Sequence, residues 1–212
     1  MIVEEYFKTP IWIEQKPEWV KDLVKITDPL IKEAKKSNQD KIKKQGGSDF
    51  GIVHHSGSFM KDENMKLYVD YIGQKAHEFL DWMGYNISNH ILIYTEFWVQ
   101  EFPKDGGGHH NTHTHSNNHV TGFLYLKCSD TSSLPVFHDP RSAHVISKLP
   151  EKDRAQVTYA SEAVHWKIQP GTLIFSPAYM AHQYVVQKGD PFRFIHFNIQ
   201  AIPRIEGVTT NG

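Results

Sequence analysis

The sequence predicts a mainly β fold with N-terminal helices, and three observations carry that prediction. Helical periodicity is confined to the first ninety residues. Seven short runs rich in β-branched and aromatic residues then follow at close spacing. Turn signals such as Asp139-Pro140, Pro170-Gly171 and Lys188-Gly189-Asp190-Pro191 separate them. Many short strands in such a series indicate a sandwich or jelly roll, with the helices covering one sheet face. The 212 residues fit one domain, 1–90 as mainly helical support and 91–200 as the strand core.

Trp19–Ser37 places Val20, Leu23, Val24, Ile26, Leu30, Ile31 and Ala34 on a helical stripe, which Pro29 is expected to break or bend. The basic run Lys32–Lys44 reads as a solvated helix face or loop, and Gln45–Ser58, rich in glycine and serine, as a loop. Asn64–Met83 is the clearest helix, with Tyr68, Val69, Ile72, Ala76, Phe79, Leu80 and Met83 on one face. Asp62 or Asn64 offers its N-cap and Gly84 its stop. After Gly84 the period changes to two. Ile91–Glu101 alternates Ile93, Phe97 and Val99 against Glu96, Trp98 and Gln100. Val120–Lys127, Leu134–His138, Val164–Ile168, Thr172–Phe175, Gln183–Val186 and Phe192–Ile199 complete the expected strands.

Composition limits the function classes. An apolar fraction of 39% with 22% charged residues is that of an ordinary globular chain. No stretch reaches the roughly 18–20 apolar residues that span a bilayer, so no membrane association is expected. The N-terminus lacks a basic region followed by an apolar one, and Cys128 is the single cysteine. That excludes an internal disulfide and a thiolate zinc cluster, and the expected location is the reducing cytoplasm. A formal charge of −1 argues against a nucleic-acid partner.

Chemistry concentrates in histidine. Of fourteen in the chain, five lie in His109–His119, HHNTHTHSNNH. His113 and His115, one residue apart, can aim both rings to one side of an extended strand. The apolar Gly122–Leu126 follows at once, which mounts the pair on a sheet. His182 lies beyond a second strand-like segment, and Arg193 follows eleven residues later. A hairpin there would bring His182 and Arg193 onto neighbouring strands, a metal ligand beside a cation suited to a carboxylate.

The blocks TEFWVQEFPKDGG, HTHSNNHVTGFLYL, FHDPR, PGTLIFSPAYMAHQYVV and RFIHFN resemble the non-haem iron oxygenases that use 2-oxoglutarate. More narrowly they are similar to small members from bacteria and phages. The resemblance spans roughly Phe7–Asn198, with specific motifs in Glu96–Asn198. It implies a double-stranded β-helix (a cupin-like jelly roll), Fe(II), 2-oxoglutarate as cosubstrate and O2. It implies His113 as the first metal ligand, His182 as the distal one, and Arg193 on the outer carboxylate of 2-oxoglutarate. The implied activity is hydroxylation with release of succinate and CO2.

One position departs from the pattern, because most relatives carry a carboxylate where this chain has His115. Either His115 is the third ligand, or Asp139 supplies the carboxylate, or the site is degenerate or takes another metal. Trp98 and Gln100 share a face that can line the cosubstrate pocket, with core packing the alternative for Trp98. Tyr125 can hydrogen-bond 2-oxoglutarate or serve as wall. His196 and Asn198 alternate away from Arg193 and are expected either on the outer face or behind the metal ligands, and Arg141 pairs with a local acid or clamps substrate. Two further readings stand beside the oxygenase: a three-histidine cupin dioxygenase that needs no 2-oxoglutarate, and a non-catalytic jelly-roll module holding metal structurally. The substrate, small molecule or protein, is not legible, and pairing of sheet edges would allow a homodimer.

Overall fold

Helix and strand divide the chain near residue 90, as the change of period predicts. The computed structural model describes residues 1–141 and 149–204. The N-terminal part contains β1 (Trp12–Gln15), α1 (Pro17–Ser37), α2 (Gln39–Lys44), β2 (His54–His55), a 3-10 turn at Glu63–Met65 and α3 (Lys66–Trp82). There follow β3 (His90–Glu101), β4 (His110–His113), β5 (Val120–Lys127), β6 (Pro135–His138), β7 (Ala163–His165), β8 (Thr172–Pro177), β9 (His182–Tyr184) and β10 (Arg193–Pro203). The strands form two antiparallel sheets, one ordered β1-β8-β5-β10-β3-β2 and the other β4-β9-β6-β7.

The helices form where the apolar spacing predicts. Pro17 begins α1, Glu18 lies in its first turn and Lys35 and Lys36 in its last, charges that suit the helix dipole. Of the expected break or bend at Pro29, the break does not occur, since α1 continues through it. Leu23, Thr27, Ile31 and Ala34 are buried on either side of that exposed proline. Their packing outweighs a helix-interior proline penalty of about 3 kcal/mol. Asp62 caps the turn before α3 by accepting from the Asn64 amide at 2.9 Å. Gly84 ends α3 at φ +89, and the Tyr85 amide reaches back to Leu80 O at 3.2 Å. Most of the basic run is exposed, with no buried residue in α2, but Ala34 is buried and Lys35 partly so.

Two short strands in the N-terminal part belong to the sheet and not to the helical support. β1 pairs with β8, Trp12 opposite Phe175, and β2 with the end of β3. The large sheet then has two different faces. Phe97 and Val99 of β3, Val120, Leu124 and Leu126 of β5, and Ile195, Phe197 and Ile199 of β10 pack with Leu23, Ile31, Ile72 and Phe79 of the helices. The opposite face, with Phe123, Tyr125, Ile174 and Phe194, packs against Phe137 and Tyr184 of the small sheet.

Gly122 shows how tight the helix-side core is, since a Cβ there would collide with the Phe197 ring and the Ile174 carbonyl oxygen. Gly122→Ala is therefore expected to destabilise the protein by about 1–3 kcal/mol or more, measured as a lower urea midpoint at unchanged slope.

β9 and β10 are not neighbours, which corrects the expected hairpin. The chain leaves the small sheet after Tyr184 and enters the large one at Arg193.

Candidate metal centre

His113 and His182 meet because β4 and β9 are paired with these two residues in register. His113 ends its strand, and His115 sits in the turn beyond, its amide bonded to Ala178 O at 3.1 Å. Asn117 takes a left-handed φ of +62 before the chain enters β5. The three rings converge, with centroid separations of 5.0 Å (His113–His115), 4.6 Å (His113–His182) and 5.1 Å (His115–His182). One nitrogen from each lies within 4.8 Å of the others, a spacing that can hold a metal ion.

The hydrogen bonds behind the rings fix two of the three tautomers. His113 Nδ1–H donates to Asn111 O at 2.7 Å and His182 Nδ1–H to Met180 O at 3.1 Å. A carbonyl only accepts, so both Nε2 atoms keep free lone pairs, the arrangement typical of metal-ligating histidine. His182 is buried; His113 and His115 are partly open. Burial first, aided by the neighbouring His196 and His113, pushes His115 down to about 3. Burial likewise takes His182 to about 3. Both rings are thus unprotonated near neutral pH, as ligation demands.

Of the two readings of His196 and Asn198, the structure shows the second: both lie behind the histidines. The His196 ring lies 4.8 Å from that of His115, and Asn198 Nδ2 is 2.7 Å from His115 Nδ1. The same amide donates to Glu96 Oε2 at 2.9 Å, and Glu96 lies 3.3 Å from His196 Nε2. That imidazole holds the Glu96 carboxyl down at about 2, so Glu96 is ionised. Glu96, His115 and His196 form a second group with ligand atoms within 4.8 Å. Ile195, Phe197 and Ile199 of β10 pack against the helices, which leaves Phe194, His196 and Asn198 on the site face. Two polar residues set between apolar neighbours were the available signal.

Arg193 is accordingly misplaced in the sequence reading. It stands opposite Glu101 and Lys127 on the helix-facing side. Its Nε and Nη2 bind Glu101 Oε2 at 2.7 and 2.6 Å, and its Nη1 binds Asp28 Oδ1 at 2.6 Å and Thr27 Oγ1 at 3.1 Å. Lys35 of α1 reaches the same Glu101 at 2.5 Å. These contacts clamp α1 to the sheet, and the guanidinium is fully engaged there. Asp139, the alternative carboxylate, is bound by Arg141 through Nε at 3.0 Å and Nη2 at 2.6 Å, so Arg141 does pair locally.

Trp98, Gln100 and Tyr125 do lie on the site-facing side. The Trp98 ring is 4.5 Å from His196, Gln100 Nε2 is 2.8 Å from His110 Nε2, and Tyr125 Oη is 2.7 Å from Tyr184 Oη. Burial holds His110 at about 4 and raises both tyrosines. Phe123, Phe137 and Phe194 fill the space among them. Among the residues of β3, β5, β9 and β10 placed on this face, none is arginine or lysine.

Residues 96–198 match the family described as "Putative 2OG-Fe(II) oxygenase". The resemblance to 2-oxoglutarate/Fe(II) oxygenases holds. Such an oxygenase implies Fe(II), 2-oxoglutarate and O2, and the imidazoles suit the metal, since this donor type takes iron readily. Three solved structures are similar over nearly the whole chain. A Pseudomonas putida prolyl-4-hydroxylase has 10% identity and a TM-score of 0.57, covering 91% of this chain and 92% of its own. The viral collagen prolyl hydroxylase of Paramecium Bursaria Chlorella virus-1, in a 2OG complex, has 14% and 0.56, covering 91% and 96%. AviO1 from Streptomyces viridochromogenes has 13% and 0.55, covering 91% and 90%. At these identities the likeness establishes a shared fold. No curated protein sequence matches the chain. Among the described residues no helix is long and apolar enough to cross a membrane.

Proposed function

We propose that this protein is an Fe(II)- and 2-oxoglutarate-dependent oxygenase that hydroxylates a C–H bond of its substrate, on a double-stranded β-helix formed by the two sheets. The observation that carries this reading is the convergence of His113, His115 and His182, two of them with Nε2 freed by carbonyl bonds on Nδ1. These three residues would hold the metal through their imidazole nitrogens. Fe(II), once loaded, supplies oxygen activation at the expense of 2-oxoglutarate, which leaves as succinate and CO2. The protein contributes position and dryness: Phe123, Phe137 and Phe194 exclude water on the deep side.

With Arg193 turned away, the outer carboxylate of 2-oxoglutarate is received by uncharged donors. The Tyr125 and Tyr184 hydroxyls are buried, and Gln100 with His110 lies on the same face. Tyr125→Phe is expected to weaken 2-oxoglutarate binding about tenfold or more, given the roughly 1.5–3 kcal/mol of a hydrogen bond to a charged group. Metal affinity should stay unchanged, and calorimetry with each ligand separates the two effects.

The three-imidazole set also favours a second reading, a cupin-type dioxygenase that takes its substrate directly on the metal. Oxygen consumption by the Fe(II)-loaded protein discriminates. The proposed function requires consumption to depend on added 2-oxoglutarate with stoichiometric succinate, whereas substrate-driven consumption without it supports the cupin reading.

A further inference from the structure

We propose that a cleft beside the metal centre anchors an uncharged, apolar part of the substrate, between the N-terminal segment and the chain around Tyr159. The inference rests on the oxygenase reading and adds to it the chemical character of the substrate. The cleft has a volume of about 730 Å3, within the roughly 300–1,000 Å3 of small-molecule sites. Ile11, Phe137 and Met180 line it and are themselves buried or partly buried, so they form its floor. Two of them adjoin the triad. The Met180 carbonyl accepts from His182 Nδ1 at 3.1 Å, and the Phe137 ring lies 5.6 Å from that of His182, its partner in register. A molecule seated on this floor is one side chain away from a proposed metal ligand.

The walls indicate what they receive. Val3, Tyr6 and Phe7 on the N-terminal segment and Val157 and Tyr159 opposite are all exposed. Phe7 is 94% exposed and held at a left-handed φ of +59, a costly conformation for a bulky residue. Among the described residues its one aromatic neighbour is Tyr6, at 6.4 Å. Exposed apolar side chains gathered around a cavity mark a binding surface. The charges on the same walls are matched locally. Lys8 pairs with Glu5, Arg141 pairs with Asp139 at 2.6 Å, and the Glu4 carboxylate accepts from the Tyr6 hydroxyl. A cleft with its cations already engaged offers no counter-ion to an anionic ligand, whose desolvation would then go uncompensated. An uncharged apolar group suits both features. Its burial provides binding energy away from the reacting carbon, which serves to orient that carbon.

The test is a fluorescence titration of the full chain with N-phenyl-1-naphthylamine, an uncharged apolar probe. A second titration uses 1-anilinonaphthalene-8-sulfonate, the same ring system carrying an anion. The uncharged probe should bind about tenfold more tightly or better. Its affinity should fall about tenfold or more in Phe7→Ser and in Val157→Asp, the range for losing one apolar contact of this size. Both residues are exposed, so both variants should fold. Leu67→Asp, exposed on α3 and outside the cleft, should bind as the wild type does. Proton NMR then locates the bound probe: one equivalent of Co(II) should broaden its ring signals, whereas Zn(II) should not. Absent binding, tighter binding of the sulfonate, an equal loss in Leu67→Asp, or unaltered binding in both cleft variants overturns the proposal. So do ring signals that stay sharp in a protein that has taken up Co(II). A protein that takes up no Co(II) refutes the oxygenase reading instead, and the titrations alone then decide the cleft.

Discussion

Arg193→Ala is expected to destabilise the protein by about 3–5 kcal/mol, the cost of removing one partner from a buried, hydrogen-bonded ion pair. Arg193 has a side chain only 4% exposed and is bound to Glu101 and Asp28, so its loss leaves the Glu101 carboxylate, itself 12% exposed, short of its main partner. Lys35 and Lys127 stay near Glu101 and moderate the loss without replacing the guanidinium fork. Urea unfolding measures the effect. At temperatures where the variant remains folded, its metal and 2-oxoglutarate affinities should equal those of the wild type. A stable variant with weakened 2-oxoglutarate binding would show that Arg193 faces the cosubstrate after all.

His182→Ala is expected to abolish metal loading, because it removes the most buried member of the triad and the in-register partner of His113. Loss of a hydrogen-bond partner behind a ligand already costs 10–100-fold in metal affinity, so loss of the ligand itself should cost more than about 100-fold. Calorimetry with Co(II) or Zn(II) reads the change, and circular dichroism verifies the fold. Asp139→Asn serves as the contrast. Its carboxylate is bound by Arg141, so metal affinity should be unaltered. Retention of tight binding in His182→Ala would assign the ion to the neighbouring Glu96, His115 and His196 group.

The helices and the main strands were legible because each is specified locally. In α3 the apolar stripe and the Gly84 stop agree, Asp62 caps the turn that leads into it, β3 alternates in adjacent residues near its end and β5 is a short apolar run. The histidine triad was legible for a related reason. The His113–His115 spacing is local, and His182 is brought in by the pairing of one strand.

What failed depended on distant partners. The phase of β10 follows from which face the helices cover, and the chain changes sheets just before it, so the hairpin geometry gave Arg193 the wrong side. The same reading left His196 and Asn198 undecided between two places and Glu96 without a role. A break at Pro29 stayed open in the sequence because the proline acts locally, whereas the packing that keeps α1 continuous is tertiary. β1 is four residues long and carries too little pattern to separate from coil.

The most direct test of the central claim is the visible spectrum of the protein under anaerobic conditions, titrated with Fe(II) and then with 2-oxoglutarate. Chelation of a keto acid by ferrous iron held on three imidazoles should produce a metal-to-ligand charge-transfer band that saturates at one equivalent of each and is missing in His182→Ala. Tight Fe(II) uptake with no band at saturating 2-oxoglutarate would contradict the account, leaving a metal-binding fold whose histidines serve another chemistry.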